Sequence, residues 1–290
     1  MNPYMLQRLY IFFKNITINY PARYFPQSLN VLLLRFYGFG IRLFGNQKAL
    51  RNVKLLKPKL GVYRLTFWNG DSWLMMNHVR INRYLKEIEG AGERLLRRYN
   101  LNKINVKVDC VIDVGANVGE ISYLYAKRGA KVICFEPDPN LKKILESNLG
   151  GFSDVHISTS ALGKTTGPAE IMIATETADT SLFPRRGDAE KASVDVSRYD
   201  QHRFCDMVEG VAILKMDTEG FEPEAIEGFG AELSKFSMIA VDCGLERGGT
   251  STAPAVEELM QRAEIFDFSV SKDLILTARR FQNKKDKGGG

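Results

Sequence analysis

One stretch constrains this chain more than any other: VIDVGANVGE, residues 111–120, running on into ISYLYAKRGA. A short apolar run ends near an acid, turns on two glycines and enters an amphipathic pattern. That order predicts a buried strand, a tight loop and a helix over residues 119–128. The motif is the first of a series. KVICFEPD leads into PNLKKILESNL, VHISTSALG follows, VAILKMDTEG leads into FEPEAIEGF, and SMIAVDCG leads into APAVEELMQRAEI. Alternating short strands and helices predict a doubly wound α/β fold, mostly parallel, with ligands at the carboxyl ends of its strands. DFSVSKD and LILTARRF then close the chain as an antiparallel hairpin.

The glycine turn narrows the ligand. A dinucleotide site uses Gly-x-Gly-x-x-Gly, whose central glycine lets a pyrophosphate approach. Here Gly115 and Gly119 are present, but Asn117 stands in the central place. The GKTT run at 163–166 is no P-loop either, because its required first glycine falls on Ser158. A ligand without phosphate fits better. Asp113 suits an ammonium or sulfonium group, and Glu136 could accept both hydroxyls of a ribose. S-adenosylmethionine carries all of these groups.

In order and spacing, VIDVGANVGE, FEPDPN, SALG, ADTSLFP and LKMDTEGFEPEAIEGF resemble the successive motifs of the FkbM family of methyltransferases, over roughly residues 108–280. The resemblance implies a class I, Rossmann-like, S-adenosylmethionine-dependent fold. It also implies O-methylation, often of sugar hydroxyls in polysaccharides, glycolipids or related metabolites. The donor would be held by Asp113, Gly115, Asn117, Gly119, Glu136, Asp138 and Ala161.

A sugar hydroxyl is a poor nucleophile and needs a base as its proton leaves. Strand alternation sets Lys215, Asp217 and Glu219 on one side of LKMDTEG. Either Asp217 or Glu219 serves as the base, with Lys215 orienting a carboxylate or an acceptor oxygen. An ion pair of Lys215 with one acid is the structural alternative. Glu219, Glu222 and Glu224 together raise a magnesium-assisted route, although acids at a helix N-terminus explain the last two more simply. Asp179, Thr180, Ser181, Arg185 and Arg186, in a polar excursion from 163 to 210, are expected to contact the acceptor, as are Asp242, Glu246 and Arg247. No zinc site is expected, since His78, His156 and His202 are scattered. Cys110, Cys134 and Cys243 sit in apolar runs and, with Cys205, read as free thiols, three of them buried, in a reducing compartment.

Charge divides the chain in two. Residues 1–105 carry 18 Lys and Arg against 4 Asp and Glu, and the remainder carries 22 against 30. The basic extension over 1–105 is predicted to contain helices, a hairpin around Asn69-Gly70 and a helix interrupted at Gly90 and Gly92. The methyltransferase domain spans 106–282, and a disordered tail spans 283–290. Tyr24–Leu34 is the longest uncharged run near the N-terminus, well short of the roughly 18 apolar residues of a membrane span. The chain is therefore expected to be cytoplasmic, with residues 1–45 either packing on the body or touching an anionic membrane face. The basic extension also raises nucleic-acid methylation. Against it, DTEG stands where nucleic-acid amino-methylating enzymes carry Asn/Asp-Pro-Pro-aromatic. A non-catalytic binding module on the same fold is the third reading.

Overall fold

The structure, a computed structural model, describes residues 48–57, 60–76, 78–174, 180–181, 189–263 and 266–280, with eight more positions between 31 and 42. The expected tail at 283–290 and residues 1–30 lie outside the described residues.

Seven strands form the central sheet: β4 (Cys110–Val114), β5 (Lys131–Phe135), β6 (Val155–Ser158), β11 (Ala212–Met216), β12 (Phe236–Asp242), β13 (Phe266–Val270) and β14 (Ile275–Arg280). Their order is β13-β14-β12-β11-β4-β5-β6. β6, β5, β4, β11 and β12 run parallel, and β14 lies antiparallel between β12 and β13. This is the doubly wound, mostly parallel layout expected from the sequence, and the expected C-terminal hairpin is present. Strands β4 and β11 are wholly buried, and apolar but for Asp113 and Lys215, because helices cover both faces. One face is packed by α4 (Glu222–Phe229) and α5 (Ala253–Ala263). The other is packed by α1 (Ile88–Arg98), α2 (Glu120–Lys127) and α3 (Pro139–Leu149). Chain order reverses direction at β4, with β5 on one side and β11 on the other, which is the switch point where such sheets open a crevice.

β1 (Leu50–Lys57), β2 (Val62–Phe67) and β3 (Ser72–Met76) form a separate antiparallel sheet. The Asn69-Gly70 hairpin is the β2–β3 turn. This sheet is not a detached appendage. Asn148 of α3 accepts from the Leu74 backbone N–H (2.8 Å) and donates to the Leu74 and Val118 carbonyls. Leu34 and Ile41, on the helical residues preceding it, share its core with Val118, Leu141 and Ile144.

Two expectations need correction. Gly90 and Gly92 do not interrupt α1. Gly92 sits where a Cβ would lie 2.6 Å from Leu124 Cδ1 and 2.7 Å from the Glu120 carbonyl, so the missing side chain is what lets α1 press onto α2. The polar excursion is not a plain loop. β7 (Ala161–Leu162), β8 (Gly167–Ala174), β9 (Thr180–Ser181) and β10 (Ala189–Ser197) make a four-stranded sheet ordered β7-β10-β8-β9. Ile171 from AEIMIA and the alternating Val194 and Val196 from KASVDVS form its buried apolar cluster with Ala161. All four cysteines are free thiols, and Cys110, Cys134 and Cys243 are buried.

Candidate active site

The carboxyl ends of β4, β5, β11 and β12 open into one cleft of about 1190 Å³, including its mouth to solvent. Gly115 makes the convergence possible. It has φ 70°, and a Cβ there would fall 1.9 Å from the Asp217 carbonyl oxygen, so only glycine lets the loops after β4 and β11 touch. Asn117 also adopts a left-handed backbone, φ 54°, a conformation Asn tolerates better than most residues. Its N–H donates to Glu136 Oε2 at 2.8 Å, while the Asp138 N–H donates to Glu136 Oε1 at 3.0 Å. Glu136 is buried, and burial pushes its carboxyl up to about 7 despite those two amides. A carboxylate has roughly four acceptor positions, so a bound ribose diol could take those the amides leave. Ser160, Ala161 and Leu162 line the adjoining wall. The residues present therefore fit S-adenosylmethionine.

Deeper in, Lys215 Nζ lies 3.0 Å from Asp113 Oδ1, both side chains almost fully buried, and the two residues are register partners across β11 and β4. Lys215 also donates to the Gly115 carbonyl at 2.8 Å, and Ser122 Oγ donates to Asp113 Oδ2 at 2.6 Å. Burial alone would lower the Lys215 ammonium, but Asp113 and then Asp217 outweigh it and the net shift is upward. Of the two roles expected of Lys215, it takes that of orienting a carboxylate: it pairs with Asp113, and each neutralises the other at the wall of the cleft.

At the far end, Asp217 Oδ2 accepts a 2.8 Å hydrogen bond from the Tyr99 hydroxyl. Asp242 Oδ2 is bonded by Arg98 Nη2 at 2.5 Å. Burial and the neighbouring Asp217 charge push the Asp242 carboxyl up to about 7, against the opposing pull of Arg98. The DTEG turn is held by Glu222. Its Oε1 accepts from the Thr218 N–H, the Thr218 hydroxyl and the Gly220 N–H, and its Oε2 accepts from Thr252. That clamp keeps Glu219 in a left-handed conformation, φ 55°. Glu224 pairs with Arg247, which also donates to the Gly220 carbonyl. The three glutamates thus do not converge, and no metal-capable cluster of His, Cys, Asp or Glu occurs among the described residues.

Of the expected site residues, Asp113, Gly115, Asn117, Glu136, Ala161, Lys215, Asp217, Glu219, Asp242 and Glu246 all border the cleft. Asp138 instead caps α3, accepting from the Asn140 and Leu141 N–H groups, and Gly119 is the N-cap position of α2. Thr180 and Ser181 are backbone partners of Ile173 and Met172 in β9. Asp179, Arg185 and Arg186 lie outside the described residues. Sequence reasoning missed Arg98 and Tyr99, and it offered Glu222 as a metal ligand or helix N-terminal acid, not as the clamp of the DTEG turn. The first two are the end of an ordinary amphipathic helix, ERLLRRYN, and no local pattern marks them as facing a site more than 100 positions away.

Comparison with known proteins adds an independent line. Residues 113–268, more than half of the chain, match the methyltransferase FkbM domain. A stretch of 87 residues is 29% identical to ribosomal RNA small subunit methyltransferase A of Thermotoga maritima, covering 30% of this chain and 31% of that protein. The matched stretch thus spans about a third of that relative. Among solved structures, the Methanococcus jannaschii fibrillarin pre-rRNA processing protein aligns at 12% identity and TM-score 0.41, covering 79% of this chain and 98% of that one. Precorrin-6y C5,15-methyltransferase from Geobacter metallireducens aligns at 13% identity and TM-score 0.38, covering 64% and 89%.

Proposed function

The chain belongs to the FkbM family of S-adenosylmethionine-dependent methyltransferases, and we propose that it methylates a sugar hydroxyl in a polysaccharide, glycolipid or related metabolite. The observation that carries this reading is one continuous cleft with Glu136 at one end and Asp217 with Asp242 at the other. S-adenosylmethionine, when bound, supplies a methyl group on a positively charged sulfur. The chain's own residues do the rest. Glu136 would receive the ribose hydroxyls, and the Gly115–Asn117 turn would line the donor's place beside it. Asp217 takes the acceptor proton as the hydroxyl oxygen attacks in line, and Asp242 with Arg98 orients the sugar. Glu219 and Glu246 add acceptor contacts at the rim. The test is transfer of a labelled methyl group to glycan extracts of the native host, followed by linkage analysis. Label on a sugar oxygen is the expected result; label in RNA, with none in glycan, overturns it.

A peripheral membrane contact accompanies this reading. No helix among the described residues is long and apolar enough to cross a membrane. Leu32 and Phe39, seven positions apart, are each 47% exposed, and Arg35, which donates to the Val53 carbonyl, lies between them in sequence. Exposed apolar groups in a strongly basic segment suit an anionic bilayer surface carrying a lipid-linked acceptor. Vesicles of anionic lipid should retain the protein at low salt and release it as salt rises; retention by RNA but not by vesicles would favour the nucleic-acid reading instead.

A further inference from the structure

The acceptor end of the cleft is not built by the family domain alone. Arg80, Leu95, Arg98 and Tyr99 line the cleft, Arg98 and Tyr99 at its Asp217 and Asp242 end, and all four precede the matched span of 113–268. Their placement follows from packing. The close approach at Gly92 seats α1 on α2, and Tyr84 fastens the segment before α1 by donating to Glu120 Oε1 at 2.6 Å. The C-terminal turn of α1 then arrives over the ends of β11 and β12. There two consecutive residues reach two different strands, Arg98 to Asp242 and Tyr99 to Asp217.

Tyr99 is 1% exposed, so its ring is fixed by core packing and its hydroxyl has little freedom of aim. Burial, then the adjacent Asp217 charge, hold its phenol well above its usual range, so it remains a proton donor at every working pH. A hydroxyl that only donates cannot take the acceptor's proton. What it can do is pin one oxygen of Asp217, removing the rotational freedom of a carboxylate on a loop. Arg98 does the same for Asp242, from a side chain half open to solvent.

We propose that Tyr99 and Arg98 are positioning residues of the acceptor site: Tyr99 aims the Asp217 carboxylate and Arg98 holds Asp242 against the sugar, so the segment before the family domain sets acceptor alignment. The proposal rests on the reading of Asp217 as the base. Its experiment is a double-mutant cycle of Tyr99→Phe and Asp217→Asn, read by single-turnover methyl transfer and by calorimetric donor binding. Tyr99→Phe alone should lower turnover about 10- to 100-fold while donor affinity stays within about twofold. In the Asp217→Asn background it should cost nothing further, because the carboxylate it aims is gone.

Equal losses in both backgrounds, or no loss in either, would overturn the role of Tyr99. Near-normal turnover by Asp217→Asn alone would instead sink the base assignment beneath it. Arg98→Gln provides a second measurement that does not disturb the core. It should raise the acceptor KM about tenfold with kcat changed less than threefold, and an unchanged KM would count against the assignment. Arg98→Lys should recover part of the affinity, which a merely structural surface residue would have no reason to do.

Discussion

The two ends of the cleft are built by opposite strategies. The donor end is local: Gly115, Asn117, Glu136 and the adjoining Asp138 amide all fall within one strand–turn–helix–strand unit, and backbone N–H groups do most of the holding. The acceptor end is assembled at long range by side chains, with Tyr99 meeting Asp217 across 118 positions and Arg98 meeting Asp242 across 144. A site fixed by backbone can change its side chains with little movement, whereas a site fixed by paired side chains changes its reach whenever one partner changes. On the proposed reading, the first arrangement holds the donor and the second the acceptor.

The largest expected effect would separate the two ends outright. Asp217→Asn should reduce turnover by about 10²–10⁴-fold with donor affinity unchanged, as measured by steady-state kinetics alongside calorimetry. Donor binding lost together with turnover would show that the two ends are not separable. The converse variant, Glu136→Ala, should weaken donor binding by about 1.5–3 kcal/mol, the worth of a charge-assisted hydrogen bond, with the protein still folded. Unchanged affinity would remove Glu136 from the donor end.

Gly92→Ala probes what supports the acceptor end. The added methyl must push on Leu124 and on backbone, so a loss of about 1–3 kcal/mol in denaturant-measured stability is expected. Acceptor KM should worsen more than donor Kd, because α1 carries Arg98 and Tyr99. Equal worsening of both would mean that α1 supports the whole cleft alike.

The smallest effect is a pH dependence confined to the donor end. Burial raises the Glu136 carboxyl from its ordinary 4.5 to about 7, so a donor that needs the ionised form must displace a proton below that value. Donor affinity should fall about five- to tenfold from pH 7 to pH 6, and Glu136→Gln should flatten the profile. The same shift bears on stability with the opposite sense. The unfolded chain ionises first, so this group's contribution is intact below about 4.5 and is lost as pH rises towards 7.

This division also explains what could be read from the sequence. The sheet, its closing hairpin and the donor turn were legible because each is written in contiguous residues, as apolar runs, a glycine pair and an acid at a strand end. Asp217 and Asp242 were legible as acids ending strands, but their partners were not, since nothing in ERLLRRYN marks which side of the helix meets β11. The helix glycines misled for a related reason: propensity disfavours Gly92 within a helix, but contact with α2 overrides propensity. The β8–β10 sheet was read as a loop because charged residues interrupt both strands, Glu170 in β8 and Glu190, Lys191 and Asp195 in β10.

The buried pair of Asp113 and Lys215 has a consequence for how such sequences can diverge. Losing either partner alone would leave an uncompensated charge between two central strands, a destabilisation of about 3–5 kcal/mol, which is a large share of what holds a domain of this size together. Replacing both with apolar side chains of similar volume removes that penalty. Descendants of this chain can therefore leave the pairing only by two changes made together, or by first accumulating stability elsewhere. Two positions facing each other across β4 and β11 should thus drift as one inherited unit.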